Sequence, residues 1–161
     1  MKTSAITLII SLALLAACGG GSGGGPEDAV TGLFDALQAG DGETVASCMS
    51  RSALAELDTQ LDMLKQAPEQ GAAQLAAMGI ELDAEAIPDM TAHEFAAAMF
   101  SSPMIASMME SAEVSIGEVT VDGETARVQV TTTFLDESET HTIDVVKEDG
   151  AWKVTEFGMN F

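Results

Sequence analysis

The chain has 161 residues, of which 26 are acidic and 6 basic, for a formal charge of −20 at pH 7. That length is enough for one domain with a real core, and the charge repels phosphate backbones and anionic headgroups, which excludes nucleic acid as a partner. The acidic residues are spread along the chain with no D-x-D-x-D-G loop among them, so they read as a solvated surface and not as a calcium site.

The first element is "MKTSAITLIISLALLAAC". Lys2 is its sole charge, Ile6 to Ala17 form an apolar run, and small residues precede Cys18. This is a secretory signal layout, and the run is short of the about 20 residues a spanning helix needs. "LAAC" resembles the lipobox of bacterial lipoproteins. The resemblance implies a signal peptide over 1–17 and Cys18 as the first mature residue, with a diacylglycerol on its sulfur and an acyl group on its amine. Two or more chains hold a protein on a bilayer where one does not. Residues 18–25, "CGGGSGGG", then form a flexible tether, with a reach of at most about 28 Å to Pro26. Gly19 and Gly20 are not the acidic residues that retain lipoproteins at the inner membrane, so the same resemblance implies the periplasmic face of the outer membrane. With Cys18 acylated, Cys48 has no intrachain disulfide to form. Its spacing from Val45 and Met49 predicts a small core residue.

Residues 26–161 are expected to form a single α+β domain, helical over 26–112 and a strand meander over 113–158. Pro26 suits a first helical position, with Glu27 and Asp28 at the positive end of the dipole. Val30, Leu33, Phe34 and Leu37 make one apolar face, and Gly40 ends the helix. Asp41 caps a second helix. Leu54, Leu57, Leu61 and Leu64 draw a narrow seam along a third, which Pro68 closes. A shorter helix follows over 69–78, and "IELDAEAIPD" reads as irregular.

Thr91 and Glu94 form a capping box for the next helix. The "HE" at 93–94 lacks the second histidine of a zinc motif, since Ala97 stands in its place, and His93 reads as an exposed first-turn residue. The last helix begins at Ser102–Pro103 and carries Met104, Ile105, Met108 and Met109. Methionine clusters can hold Cu(I), but no histidine or cysteine is interleaved here, so these residues are expected to pack as apolar surface or to wall a pliable pocket. No metal site and no cofactor are expected.

From Glu113 the period becomes two. Gly117 shifts the phase between Val114–Ile116 and Val119–Val121, which predicts a bulge. "VDGET" reads as a hairpin turn. Val128, Val130, Thr132 and Phe134 share a face, as do His141, Ile143 and Val145, and then Trp152 and Val154. "DESE" and "KEDG" supply the remaining turns. The expected architecture is a four-stranded antiparallel meander with helices on one side.

The segments "ALQAGD", "VASCMS" and "KEDGAWKV" make the chain similar to small bacterial lipoproteins of the nuclear-transport-factor-2-like superfamily. The resemblance covers about residues 26–50 and 113–157, and the helical middle is longer than that family implies. It implies a curved sheet wrapped around helices, a cone with an open mouth, and no single activity, so fold alone does not decide function. The favoured reading is a non-catalytic, membrane-tethered binding or interaction domain. Its partner would be a small apolar ligand, another protein or a second copy. Thr132, Phe134, His141 and Trp152, with Met104 and Met108, are the candidate ligand residues. The alternative is an isomerase- or dehydratase-like enzyme using His141 in the apolar cone. The chain has no tyrosine to serve as a phenol donor, no G-x-S-x-G nucleophile elbow and no phosphate-binding loop.

Overall fold

The computed structural model describes residues 24–135 and 137–156. The expected signal peptide, Cys18, most of the expected tether, and Phe157 and Gly158 at the expected end of the meander lie outside the described residues.

Helix α1 spans Pro26–Ala39. The backbone N–H of Gly25 donates to Asp28 Oδ2 at 2.7 Å, which ties off the helix start. Gly40, at φ 66°, closes its C-terminus through the left-handed turn that suits glycine. Helix α2, Gly42–Cys48, is capped by Asp41, whose carboxylate accepts from the Thr44 N–H at 3.1 Å and the Thr44 hydroxyl at 2.7 Å. Helix α3, Arg51–Gln66, is capped by the buried Ser50 hydroxyl, which accepts from Ala53 N. Ala67 leaves the helical region ahead of Pro68, and Pro68 opens α4, Pro68–Ala77. The stretch expected to be irregular contains a 3₁₀ turn, Ile87–Asp89, with Pro88 inside it. Helix α5, Ala92–Phe100, has the predicted capping box: Thr91 N–H donates to Glu94 Oε2 at 2.8 Å, and Glu94 N–H donates back to Thr91 Oγ1. Helix α6 is Pro103–Glu110.

Strands β1 (Glu113–Asp122), β2 (Thr125–Phe134), β3 (Glu137–Glu148) and β4 (Ala151–Val154) form one antiparallel sheet in the order β1-β2-β3-β4. Between the Ile116–Val130 and Val119–Val128 pairs, two β1 residues face one of β2. This is the bulge at Gly117, where a Cβ would stand 2.9 Å from Gln129 Oε1. The β2–β3 turn lies earlier than "DESE" suggests: β3 already begins at Glu137, and the chain reverses at Leu135, whose φ is 48°. Asp149 and Gly150 both take positive φ in the last hairpin, the backbone a tight two-residue turn demands.

Ala126, Val128, Val130, Ile143, Val145 and Val154 all lie buried on one face of the sheet, packed with Val30, Leu33, Phe34 and Leu37 of α1, Val45 and Cys48 of α2, and Phe100. The opposite face is polar and carries hydroxyl pairs, Thr131 with Thr140 and Thr133 with Ser138. The long helical middle has its own core of Leu61, Leu75, Ile80, Ile87 and Phe95, and Leu57 touches both clusters. Of the predicted leucine seam on α3, Leu61 alone is fully buried, because it lies where α3 leans on α5, α4 and the 3₁₀ turn. Val121 is exposed, since the packed helices stop short of the β1–β2 turn.

Candidate functional site

The sequence placed its ligand residues on the helix-facing side of the sheet, and the structure scatters them. Thr132 stands beside Val114 of β1 and Glu139 of β3. Its hydroxyl is shut off from solvent with no hydrogen-bond partner. His141, opposite Val130, keeps its ring half-buried with Nε2 3.5 Å from Glu139 Oε2. Phe134 is exposed at the strand end, beyond the helices. Trp152 packs on the main core near the far edge of the sheet, and the Lys147 ammonium lies 5.8 Å from its ring centre, within cation–π range.

Met104 and Met108 do not pack as expected. They are 58% and 45% exposed, whereas Met109 is buried and Ile105 lies against the core. On an α-helix, 105 and 109 fall one above the other. That stripe meets α1, which turns 104 and 108 outward. None of these six candidates lines the larger groove described next.

That groove lies between α1 and the first half of β1 and has a volume of about 500 Å³. Phe34, Val114 and Ile116 give it apolar lining, Thr31, Gln38, Ser115 and Thr133 polar lining, and Asp35 and Glu113 two carboxylates. Gln38 fixes one end by donating from Nε2 to the carbonyls of Ala112 at 2.9 Å and Met109 at 3.3 Å, which leaves its amide oxygen as an acceptor. Thr31, Asp35 and Gln38 sit at i, i+4 and i+7 beside the apolar face of α1. This helical spacing is legible in the sequence, but the groove exists only because β1 runs alongside. A second groove, about 390 Å³, includes the outward-facing Arg127, Asp122, Asp144 and Glu148 at the other end of the sheet.

His93 is less exposed than expected. Its Nε2 lies 3.4 Å from Ser47 Oγ, and its Nδ1 is 3.9 Å from Glu43 Oε1. The order of groups resembles a serine relay, but such a relay works at about 2.6–3.2 Å, and Glu43 is largely solvated. The Lys153 ammonium donates to the Ser47 carbonyl at 2.5 Å. These contacts fasten α5 and β4 to α2.

Two carboxyls are held below their ordinary range. The Thr44 hydroxyl and N–H lower Asp41, and the Thr91 N–H and hydroxyl lower Glu94. Both are helix caps, so these shifts belong to structure and not to chemistry on a substrate. Among the described residues, no group of three or more His, Cys, Asp and Glu is placed to hold a metal ion.

The model of the family described as "Putative lumazine-binding" matches residues 27–156. No curated protein matches the chain. A solved structure, described as a "Putative NTF2-like transpeptidase" from Campylobacter jejuni, is 16% identical with a TM-score of 0.44, covering 83% of this chain and 99% of that one. The family match spans both the "ALQAGD" and "KEDGAWKV" segments that carried the nuclear-transport-factor-2-like resemblance. The chain belongs to the family described as "Putative lumazine-binding".

Proposed function

We propose that the chain is a lipid-anchored binding domain of the bacterial cell envelope, held through acylated Cys18 at the periplasmic face of the outer membrane. Its groove between α1 and β1 takes a small ligand and does not transform it. The carrying observation is the groove itself, lined by apolar side chains together with hydrogen-bonding groups. Ligand seats are commonly concave, mostly apolar and furnished with a few placed polar groups. The family description names lumazine, a flat two-ring heterocycle with carbonyl and N–H groups. Phe34 with Val114 suits the ring faces, and Gln38 with Thr31 suits the edges.

The test is a titration of the lipid-free chain with lumazine, followed by the heterocycle's fluorescence. Wild type should saturate. Thr31→Arg, an exposed change on α1 at the groove, should weaken binding at least about tenfold, which is about 1.4 kcal/mol. Saturation unaffected by Thr31→Arg would remove the groove as the seat, and no saturation at all would remove this ligand class. The anchor is tested separately by fractionating cells that express Cys18→Ser. That variant should leave the membrane pellet, and one that still sediments with the envelope defeats the anchoring reading.

A further inference from the structure

We propose that the thioethers of Met78, Met104 and Met108 form a binding site for a soft monovalent metal ion, Cu(I). This site is separate from the groove and does not depend on the binding role assigned to it.

The structure leaves these side chains with no packing role. Met78 is 51% exposed, and like Met104 and Met108 it belongs to neither core cluster. Residues i and i+4 of a helix lie one above the other, so Met104 and Met108 stand one turn apart on the solvent side of α6. Met78 stands at the end of α4. It is the C-cap of that helix, and the next residue, Gly79, lies against the start of α6. A Cβ on Gly79 would stand 3.9 Å from both Met104 Cβ and Ser102 Oγ. The buried Ser102 hydroxyl donates to the Gly79 carbonyl at 3.2 Å, and Gly79 takes a φ of +77° to make the turn. The end of α4 is thus fastened to the start of α6, with Met78 one residue before the joint.

Thioether sulfur is a soft donor and selects Cu(I) over harder divalent ions. No trio of His, Cys, Asp and Glu among the described residues offers the harder donor set that would favour those ions. The chain's charge of −20 raises the local concentration of any cation. A thioether need not lose a proton to bind, unlike a thiol or imidazolium. Affinity at this site should therefore be flat across the pH range where those groups titrate.

The experiment titrates Cu(I), kept reduced under nitrogen, into the chain carrying Cys18→Ser, against a chromophoric Cu(I) chelator. One equivalent should leave the chelator. Met104→Leu with Met108→Leu should abolish that uptake, and Met78→Leu should weaken it at least about tenfold. Leu matches Met closely in bulk and helix propensity, so thermal melts should coincide with the parent. Met63→Leu, 62% exposed on α3, and Cys48→Ala should both retain uptake. Affinity should agree at about pH 5.5 and pH 7.5. The proposal is overturned if no copper leaves the chelator, if the Leu variants bind as the parent does, or if Cys48→Ala is the change that removes binding.

Discussion

Gly42→Ala separates what local rules say from what packing says. Alanine is a better helix former than glycine, so a helix-only view has this change, at the first residue of α2, favour the helix slightly. The structure reverses the sign. A Cβ at Gly42 would stand 1.9 Å from the Ala97 carbonyl oxygen, 2.5 Å from Ser101 Oγ and 2.7 Å from Ser101 N. Contacting heavy atoms ordinarily rest at roughly 3.5 Å or more, so α2 and α5 would have to part by more than an ångström. The obstacle is backbone, which cannot rotate aside. Overpacking of this kind costs about 1–3 kcal/mol and at times more, and we expect a net loss of about 2 kcal/mol. For a domain of this size that lowers Tm by about 4–8 °C, read by urea and thermal melts in far-UV circular dichroism. Gly123→Ala is the comparison. Nothing lies within 4 Å of its Cβ position, and its φ of +63° is the sole penalty, about 1–2 kcal/mol. If Gly42→Ala melts at or above wild type while Gly123→Ala melts below it, the close seating of α2 on α5 is wrong.

Leu61→Ala should cost about 2–5 kcal/mol, because Leu61 is fully buried at the centre of the second core; a loss under 1 kcal/mol in urea melts would mean that the helical middle is not packed as described. Thr132→Val should raise stability by about 1 kcal/mol, since it removes a hydroxyl buried without a partner, and a clear drop in Tm would show that this hydroxyl has an essential partner. Asp41 and Glu94 have folded pKa values below their ordinary 3.8 and 4.5. Their stabilisation is therefore full above those ordinary values and is lost as pH falls through the folded ones. Tm should begin to fall near pH 4.5 and keep falling below 3.8, and Asp41→Asn with Glu94→Gln should flatten that decline; an unchanged slope would contradict it.

Much of the fold was legible because its signals act over three or four residues. Asp41 caps α2 and Thr91 with Glu94 caps α5 through bonds to their own first turns. The slip at Gly117 marked the bulge because alternation has a period of two. The candidate site was less legible. Thr132, Phe134, His141 and Trp152 do share the helix-facing side of the sheet, but alternation says nothing about how far the helices reach along it. They stop before Phe134.

By itself, then, the sequence determined which residues turn, cap and alternate, and hence an α+β chain with a closing meander. Only the tertiary structure decided which apolar stripes are covered. Ile105 and Met109 go inward and Met104 and Met108 outward because α1 meets one side of α6. Thr31, Asp35 and Gln38 line a groove because β1, distant in sequence, lies beside α1. The physical reason is range. Hydrogen bonds within a turn and side-chain periodicity depend on near neighbours, whereas burial depends on which surface arrives from elsewhere in the chain.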